Sequence, residues 1–281
     1  MDHRTILLML NKETSGEILA EYAENARTND AHLICLMLGS TPALPYYAYG
    51  NPPYGTVSAP ENWTELVHKT RSEQCARAEH IETLLARIQA FGEVRSLICS
   101  SYDIKYDVAQ CAMACDVAHI APNLRETEVM FREATHGLLF RSPVGLVLNG
   151  DPSVTRRRIF VAWNGGLACA RAVHAALPYL GACEEVIIGC FDPVMSSEKD
   201  GENPGSDIAA WLSHRGCAVS VHQYPSGGLE IGRCIQDRAA ETGADLVVMG
   251  AYGHARAREA IFGGTTRTMI EQAELPVLIA H

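Results

Sequence analysis

Gly250, Gly253, Gly263 and Gly264, followed at once by Thr265 and Thr266, punctuate the stretch "GAYGHARAREAIFGGTTRTM". A phosphate group is what these residue types, at this spacing, could hold. Glycine lets the main chain turn through positive φ and lets a ligand approach without a Cβ in the way. Successive amides in such a turn can converge on an anion. The residues from Gly264 onward predict a helix start, with Thr265 or Thr266 as its cap and Met269, Ile270 and Ala273 on its buried face. A helix amino end adds free N–H groups and the positive end of the dipole, and threonine hydroxyls can donate to phosphate oxygens. His254, Arg256 and Arg258 stand between the glycine pairs, where they can reach a ligand or simply face water.

Such a loop needs a strand to deliver it. "ADLVVMG", Ala244 to Gly250, is an apolar run ending on the first glycine, and open parallel sheets bind ligands beyond the carboxyl ends of their strands. The same order of elements occurs twice in the chain. "TILLMLNKETSG" from Thr5 and "RIFVAWNGGLAC" from Arg158 each read as a buried strand, an asparagine and a polar turn into a helix. Helices follow over 16–27 and 168–180, then second strands over 32–38 and 185–191, and third strands over 94–99 and 218–224. "CDVAHIA" and "ADLVVMG" supply the fourth strands, and "SPVGLVL" and "LPVLIA" the closing ones. Strands that are apolar throughout, alternating with helices, predict parallel sheets covered on both faces. The expected fold class is therefore α/β, two tandem doubly wound domains, each with a five-stranded mainly parallel sheet. The join falls in "NGDPSVTRRR". Pro143 and Pro276 open the closing strands, where proline is tolerated, and these strands are candidates for pairing between the halves.

Composition narrows the function. The chain of 281 residues is 47% apolar and 20% charged, which suits globular domains. No apolar run reaches the roughly 18–20 residues of a membrane span, and the early run Ile6 to Leu10 is short for a secretory core. A cytoplasmic protein is expected, without membrane contact. A net charge of −10 disfavours nucleic acid as a partner, because phosphate backbones call for a basic surface. None of the ten cysteines pair as CxxC; buried reduced thiols are expected, and no metal site. The first half is longer by about 24 residues, most of them in the Pro-, Gly- and Tyr-rich segment at about 39–63. That segment is expected to be an inserted surface loop, or else a lid.

Gly, two residues, Gly, nine residues, then Gly and a small residue, between a hydrophobic strand and the last helix, resembles the nucleotide-binding signature of the universal stress protein family. The repeated strand order extends the resemblance to the tandem form of that family, over nearly all of the chain. It implies domains at 1–150 and 155–281 of the adenine nucleotide alpha hydrolase-like kind, the second carrying the glycine loop. It also implies ATP as the ligand, with or without Mg. "VAWNGG" is similar to the family's opening strand and turn, so Asn164 and Gly165 are placed at the adenosine, and Cys190 matches a position whose backbone meets adenine. Gly250, Gly253, His254, Gly263, Gly264, Thr265 and Thr266 fall to the phosphate loop. Two departures stand out: Asn164 replaces the usual Asp, and Gly264 stands where Ser or Thr is usual.

The first half has Ala121, Leu124 and Ala134 at the natural equivalents of its glycines and is expected to be degenerate. The leading expectation is a cytoplasmic stress-response sensor or regulator binding one adenine nucleotide in the second domain. It has no P-loop motif and at most slow ATP hydrolysis; Asp192 and His254 are the nearest titratable groups, each expected to be structural or solvated. The competing expectation is a nucleotide-independent module that presents the paired domains to an unknown protein partner. A third is a pocket for another small molecule closed by the tyrosine-rich loop. A monomer with its halves paired inside the chain, or a homodimer, is expected.

Overall fold

The computed structural model describes residues 3–42, 62–152, 154–195, 202–251 and 264–281. Each half is built from the same series. The first comprises β1 (Thr5–Leu10), α1 (Gly16–Thr28), β2 (His32–Ser40), α2 (Trp63–Ile88), β3 (Gly92–Cys99), α3 (Ile104–Ala112), β4 (Val117–Ile120), a 3-10 turn (Pro122–Glu126), α4 (Glu128–Arg141) and β5 (Gly145–Leu148). The second comprises β6 (Arg158–Trp163), α5 (Leu167–Leu180), β7 (Glu185–Phe191), α6 (Ser206–Ser213), β8 (Val219–Tyr224), α7 (Ile231–Thr242), β9 (Leu246–Gly250), α8 (Gly264–Glu271) and β10 (Val277–Ala280). Local signals set several boundaries. The Ser15 hydroxyl accepts from the Ile18 amide at the start of α1, and the Glu230 carboxylate caps α7 by accepting from Gly232 and Arg233. Gly39 and Ser40 continue β2 and Trp63 opens α2; most of the Pro- and Tyr-rich insertion lies outside the described residues.

The ten strands form one sheet in the order β3-β2-β1-β4-β5-β10-β9-β6-β7-β8. All neighbours run parallel except β5 and β10, which pair antiparallel with Leu146 opposite Ile279 and Val147 opposite Leu278. The two expected five-stranded sheets are thus halves of a single one, joined through their closing strands. Alternate residues of each strand face opposite sides. One side carries a core that runs through both halves and includes Ala118, Leu146, Ile279, Met249 and Phe160. The other includes Val117, Val147, Leu278, Val248 and Val161. Each fully buried aliphatic or aromatic side chain of this kind contributes about 1.5–3 kcal/mol.

A polar clasp reinforces the junction. Arg125 donates to the Ile270 carbonyl at 2.6 Å and to Asn149 Oδ1 at 2.8 Å. Asn149 in turn donates to the carbonyls of Gln272 and Leu275, both at 3.0 Å. This residue adopts a left-handed backbone, φ 55°, which asparagine tolerates better than most. Replacing Arg125 with Ala is expected to cost about 2 kcal/mol in urea denaturation, and an unchanged midpoint would show the clasp to be dispensable.

On β4, His119 is buried against Tyr22 of α1, whose hydroxyl lies 3.1 Å from His119 Nδ1 and also donates to the Gly150 carbonyl. Burial, with Arg156 adding repulsion, pushes the imidazole down from 6.5 to about 3. The folded chain keeps this ring neutral where the unfolded chain takes up a proton, so stability is lost as pH falls from about 6.5 towards 3. Between pH 7 and 5 this amounts to about 2 kcal/mol. His119→Asn is expected to remove that share of the pH dependence in denaturation curves at the two pH values.

Candidate functional site

Parallel strands β6 and β7 end side by side, with Trp163 opposite Cys190. The chain leaves β6 towards β7 on one side, while β9 lies on the other. A crevice is expected where the connections diverge in this way. A cleft of about 270 Å³ lies on the β7 side of that point, lined by Trp163, Asn164, Gly165, Cys190, Phe191 and Pro193 from the strand ends, and by Asn203 to Asp207 at the start of α6. Three residues singled out in the sequence, Asn164, Gly165 and Cys190, therefore come together.

The turn after β6 is shaped by Asn164. Its Oδ1 accepts from the Gly166 amide at 3.0 Å, an Asx turn, and Gly165 takes φ 71°. The side-chain carbonyl is thereby occupied, and the Asn164 Nδ2 group has no hydrogen bond among the described residues. An aspartate here could only accept; this asparagine offers a donor. Gly166 then opens α5 as its cap, with an extended backbone.

Cys190 is 2% exposed, so its thiol belongs to the wall beneath the cleft. Gly205 explains why the wall closes there. It sits at φ 83°, and a methyl group on it would lie 3.2 Å from Cys190 Sγ, Ile188 and Val221 alike. The loop after β7 is fixed by Asp192, φ 43°, whose Oδ1 accepts from the Ser226 amide at 2.8 Å. Ser226 holds that carboxylate below its ordinary range. Asp192 thus has a structural partner, as the sequence reading expected.

Gly250 proves to be a packing position. A Cβ there would overlap the Cys169 amide nitrogen and the Ala168 main chain and methyl group, so this glycine lets the amino end of α5 close on β9. Gly264 begins α8, and Thr265 and Thr266 lie within its first turn instead of capping it. Thr266 is 4% exposed and shares the inner stripe with Met269 and Ile270, at spacings of three and four residues that place it within the helix. Thr265 is half-buried and Gly264 exposed. Gly253, His254 and Gly263 lie outside the described residues. Glu230 adds a feature not anticipated: its Oε1 would lie 3.9 Å from a Cβ on Gly264, placing a carboxylate beside the start of α8.

Asn203, Pro204, Gly205, Ser206 and Asp207 were missed by sequence reasoning. They come from the loop between β7 and α6, and their only local signal is the Pro-Gly pair preceding a helix. Nothing along the chain says that this turn folds back over Cys190.

The first half has the same strand geometry with a different set of side chains at the strand ends. Strand registers match Ile6 to Val117 and Ile159 to Leu246, which sets Ala121 level with Gly250. Asn11, the counterpart of Asn164, is 6% exposed. Its Oδ1 accepts from Asn123 Nδ2 at 2.7 Å, while Thr14 Oγ1 donates to Asn123 Oδ1 at 3.0 Å. Arg77 of α2 donates to the Thr14 carbonyl. Ala121, Leu124 and Ala134 are fully buried, and the 3-10 turn and α4 follow β4 in this half.

This architecture, one mostly parallel sheet of two repeated halves with a crevice at the strand ends, defines an α/β class of tandem construction. Residues 228–281 match the universal stress protein family. No curated protein matches the sequence. A universal stress protein from Archaeoglobus fulgidus DSM 4304 shares the fold over 98% of this chain and 95% of its own, with 13% identity and a TM-score of 0.65. A protein from Pseudomonas aeruginosa UCBPP-PA14, assigned as a universal stress protein, does so over 99% and 93%, with 14% identity and a TM-score of 0.52. A universal stress protein solved in complex with cAMP is 19% identical over 46% of this chain and 99% of its own, with a TM-score of 0.35. Residues 228–281 thus match that family, and the chain as a whole shares the fold of those two solved structures.

Among the described residues no group of three or more His, Cys, Asp or Glu could hold a metal ion, and no helix is long and apolar enough to cross a membrane. Gly205→Ala is expected to lower stability by about 1–2 kcal/mol through its left-handed backbone alone, with crowding against Cys190 adding to the loss. Thermal unfolding of the variant checks this, and a midpoint equal to the parent's would contradict the close packing.

Proposed function

We propose that the chain is a tandem universal stress protein, with domains at 1–150 and 155–281, that binds one adenine nucleotide, ATP, in its second domain and acts as a cytoplasmic sensor or regulator. One contrast supports this reading: among the described residues a cleft lies at the strand ends of the second half, whereas at the equivalent place in the first Asn11, Thr14, Asn123 and Arg77 are tied together by hydrogen bonds. The cleft lined by Trp163, Asn164, Asn203 and Asp207 suits a nucleoside. It offers an aromatic edge, the Nδ2 donor of Asn164, and carboxylate and amide groups able to meet hydroxyls and ring nitrogens. The phosphates then extend to Gly250, Gly253, His254, Gly263, Gly264 and the amino end of α8 with Thr265. Mg²⁺, where present, is carried in on the phosphates.

The Glu230 carboxylate near Gly264 favours a second reading, a nucleotide-independent module that engages a protein partner, because a negative charge at that helix start opposes a phosphate. Equilibrium binding of ATP separates the two. Saturable binding by the parent, weakened at least about tenfold in Gly263→Val, is expected for the nucleotide reading. A folded parent that binds no ATP leaves the interaction module in its place.

A further inference from the structure

Among the cysteines expected to be buried reduced thiols, Cys183 and Cys217 stand close together. Cys183 Sγ donates to the Leu180 carbonyl oxygen at 3.2 Å, and Cys217 Sγ donates to the same oxygen at 3.4 Å. One acceptor holds both sulfurs side by side. The surrounding strands make this a fixed arrangement. Cys183 lies just before β7 and Cys217 just before β8, and these strands pair parallel with Val186 opposite Val219. Extending that register sets Cys217 opposite Glu184, one position from Cys183. With neighbouring strands about 4.8 Å apart and a rise of about 3.3 Å per residue, the two Cα atoms stand roughly 6 Å apart. That lies inside the window of about 4.4–6.8 Å that a disulfide requires. Both residues are half-buried, and β8 is an edge strand of the sheet.

We propose that Cys183 and Cys217 are a thiol pair built to close into a disulfide bond when the chain meets a low-molecular-weight disulfide such as oxidised glutathione. In the first step one cysteine thiolate attacks a sulfur of the oxidant. The oxidant's S–S bond breaks, one glutathione thiolate leaves, and a mixed disulfide forms. In the second step the other cysteine thiolate attacks the protein-side sulfur of that mixed disulfide, expels the second glutathione thiolate and forms the Cys183–Cys217 bond. Two electrons pass from the protein to the oxidant, and the two thiol protons end on the two released glutathiones. Burial raises both thiols above their ordinary value, with Cys217 adding to the effect on Cys183 and Arg215 pulling the Cys217 thiol back down. The first step is therefore slow compared with an exposed thiol, and the second is favoured by proximity.

The bond would tie the outermost strand pair together at its base. Between the two cysteines the chain carries the end of β7 and the start of α6, which together supply most of the cleft wall from Cys190 to Asp207. The bond would form at the opposite end of the strands from the cleft, and the proposal stands apart from the ATP reading.

The experiment is peptide mass spectrometry of the full folded chain after incubation with oxidised glutathione, digested without reductant. Cleavage after Arg215 separates the two cysteines, and fragmentation distinguishes Cys183 from Cys190. The expected product is a peptide pair linked through Cys183 and Cys217, lost on later reduction. In Cys183→Ser, whose hydroxyl can still donate to Leu180, the linked pair should disappear and Cys217 should end as the glutathione adduct. Exposed Cys75 reports that the oxidant acted. If Cys75 is modified while Cys183 and Cys217 stay free, or carry separate glutathiones without linking, the proposal is overturned.

Discussion

Antiparallel pairing of β5 with β10 is the constraint on which the rest of the molecule depends. Each half, taken alone, would leave its closing strand with a row of unpaired main-chain groups and an apolar surface on both sides. Pairing the two satisfies those groups and lets the core run across the junction from Ala118 and Leu146 to Ile279 and Met249. Only β3 and β8 remain as edges, and their outward residues, such as Glu93, Arg95, His222 and Gln223, are polar or charged, which discourages further strand addition. The clasp of Arg125 and Asn149 onto the end of α8 fixes the angle at which the halves meet.

The two halves, built on the same element order, differ in which groups meet at equivalent places. At the end of β1, Asn11 turns inward and shares hydrogen bonds with Asn123 and Thr14, so its polar groups are satisfied by the protein itself. At the end of β6, Asn164 stays at the surface and spends only its carbonyl on the turn. The polar residue is the same in both places. What differs is the neighbour that reaches it, since Asn123 bonds Asn11 and α2 extends Arg77 to the Thr14 carbonyl, while in the second half Gly205 caps α6 and Ser206 begins it.

Glycine carries different burdens within one motif. Gly250 is required because α5 closes directly on β9 at that point, and Gly205, outside the motif, is required because the chain turns through positive φ against Cys190. A glycine that looks suited to ligand approach in the sequence can therefore be required by tight packing instead, as Gly250 is. The threonines differ in burial. Thr266 is buried with the helix core, whereas Thr265 is only half-buried at the start of α8.

Strand and helix order was legible from the sequence because each strand is apolar throughout and each helix carries its own period, so local composition suffices to specify them. The strand over 185–191 and the helix ending at Leu180 fall where the pattern puts them. The repeat also predicted which two strands would meet between the halves. Packing around α6 was not legible, because the approach of Asn203 to Asp207 to Cys190 joins segments whose proximity depends on where a loop returns. The same holds for Asn11 and Asn123, far apart in the chain, and for Cys183 and Cys217, whose sulfurs share an oxygen only once β7 and β8 are aligned. The sequence by itself determined the alternation, the duplication and the candidate residues around Asn164, since these follow from short-range periodicity and spacing. Tertiary structure alone decided that Asn11 is bound by Asn123 and Thr14 while Asn164 lines a cleft, because that depends on side chains brought together from distant elements.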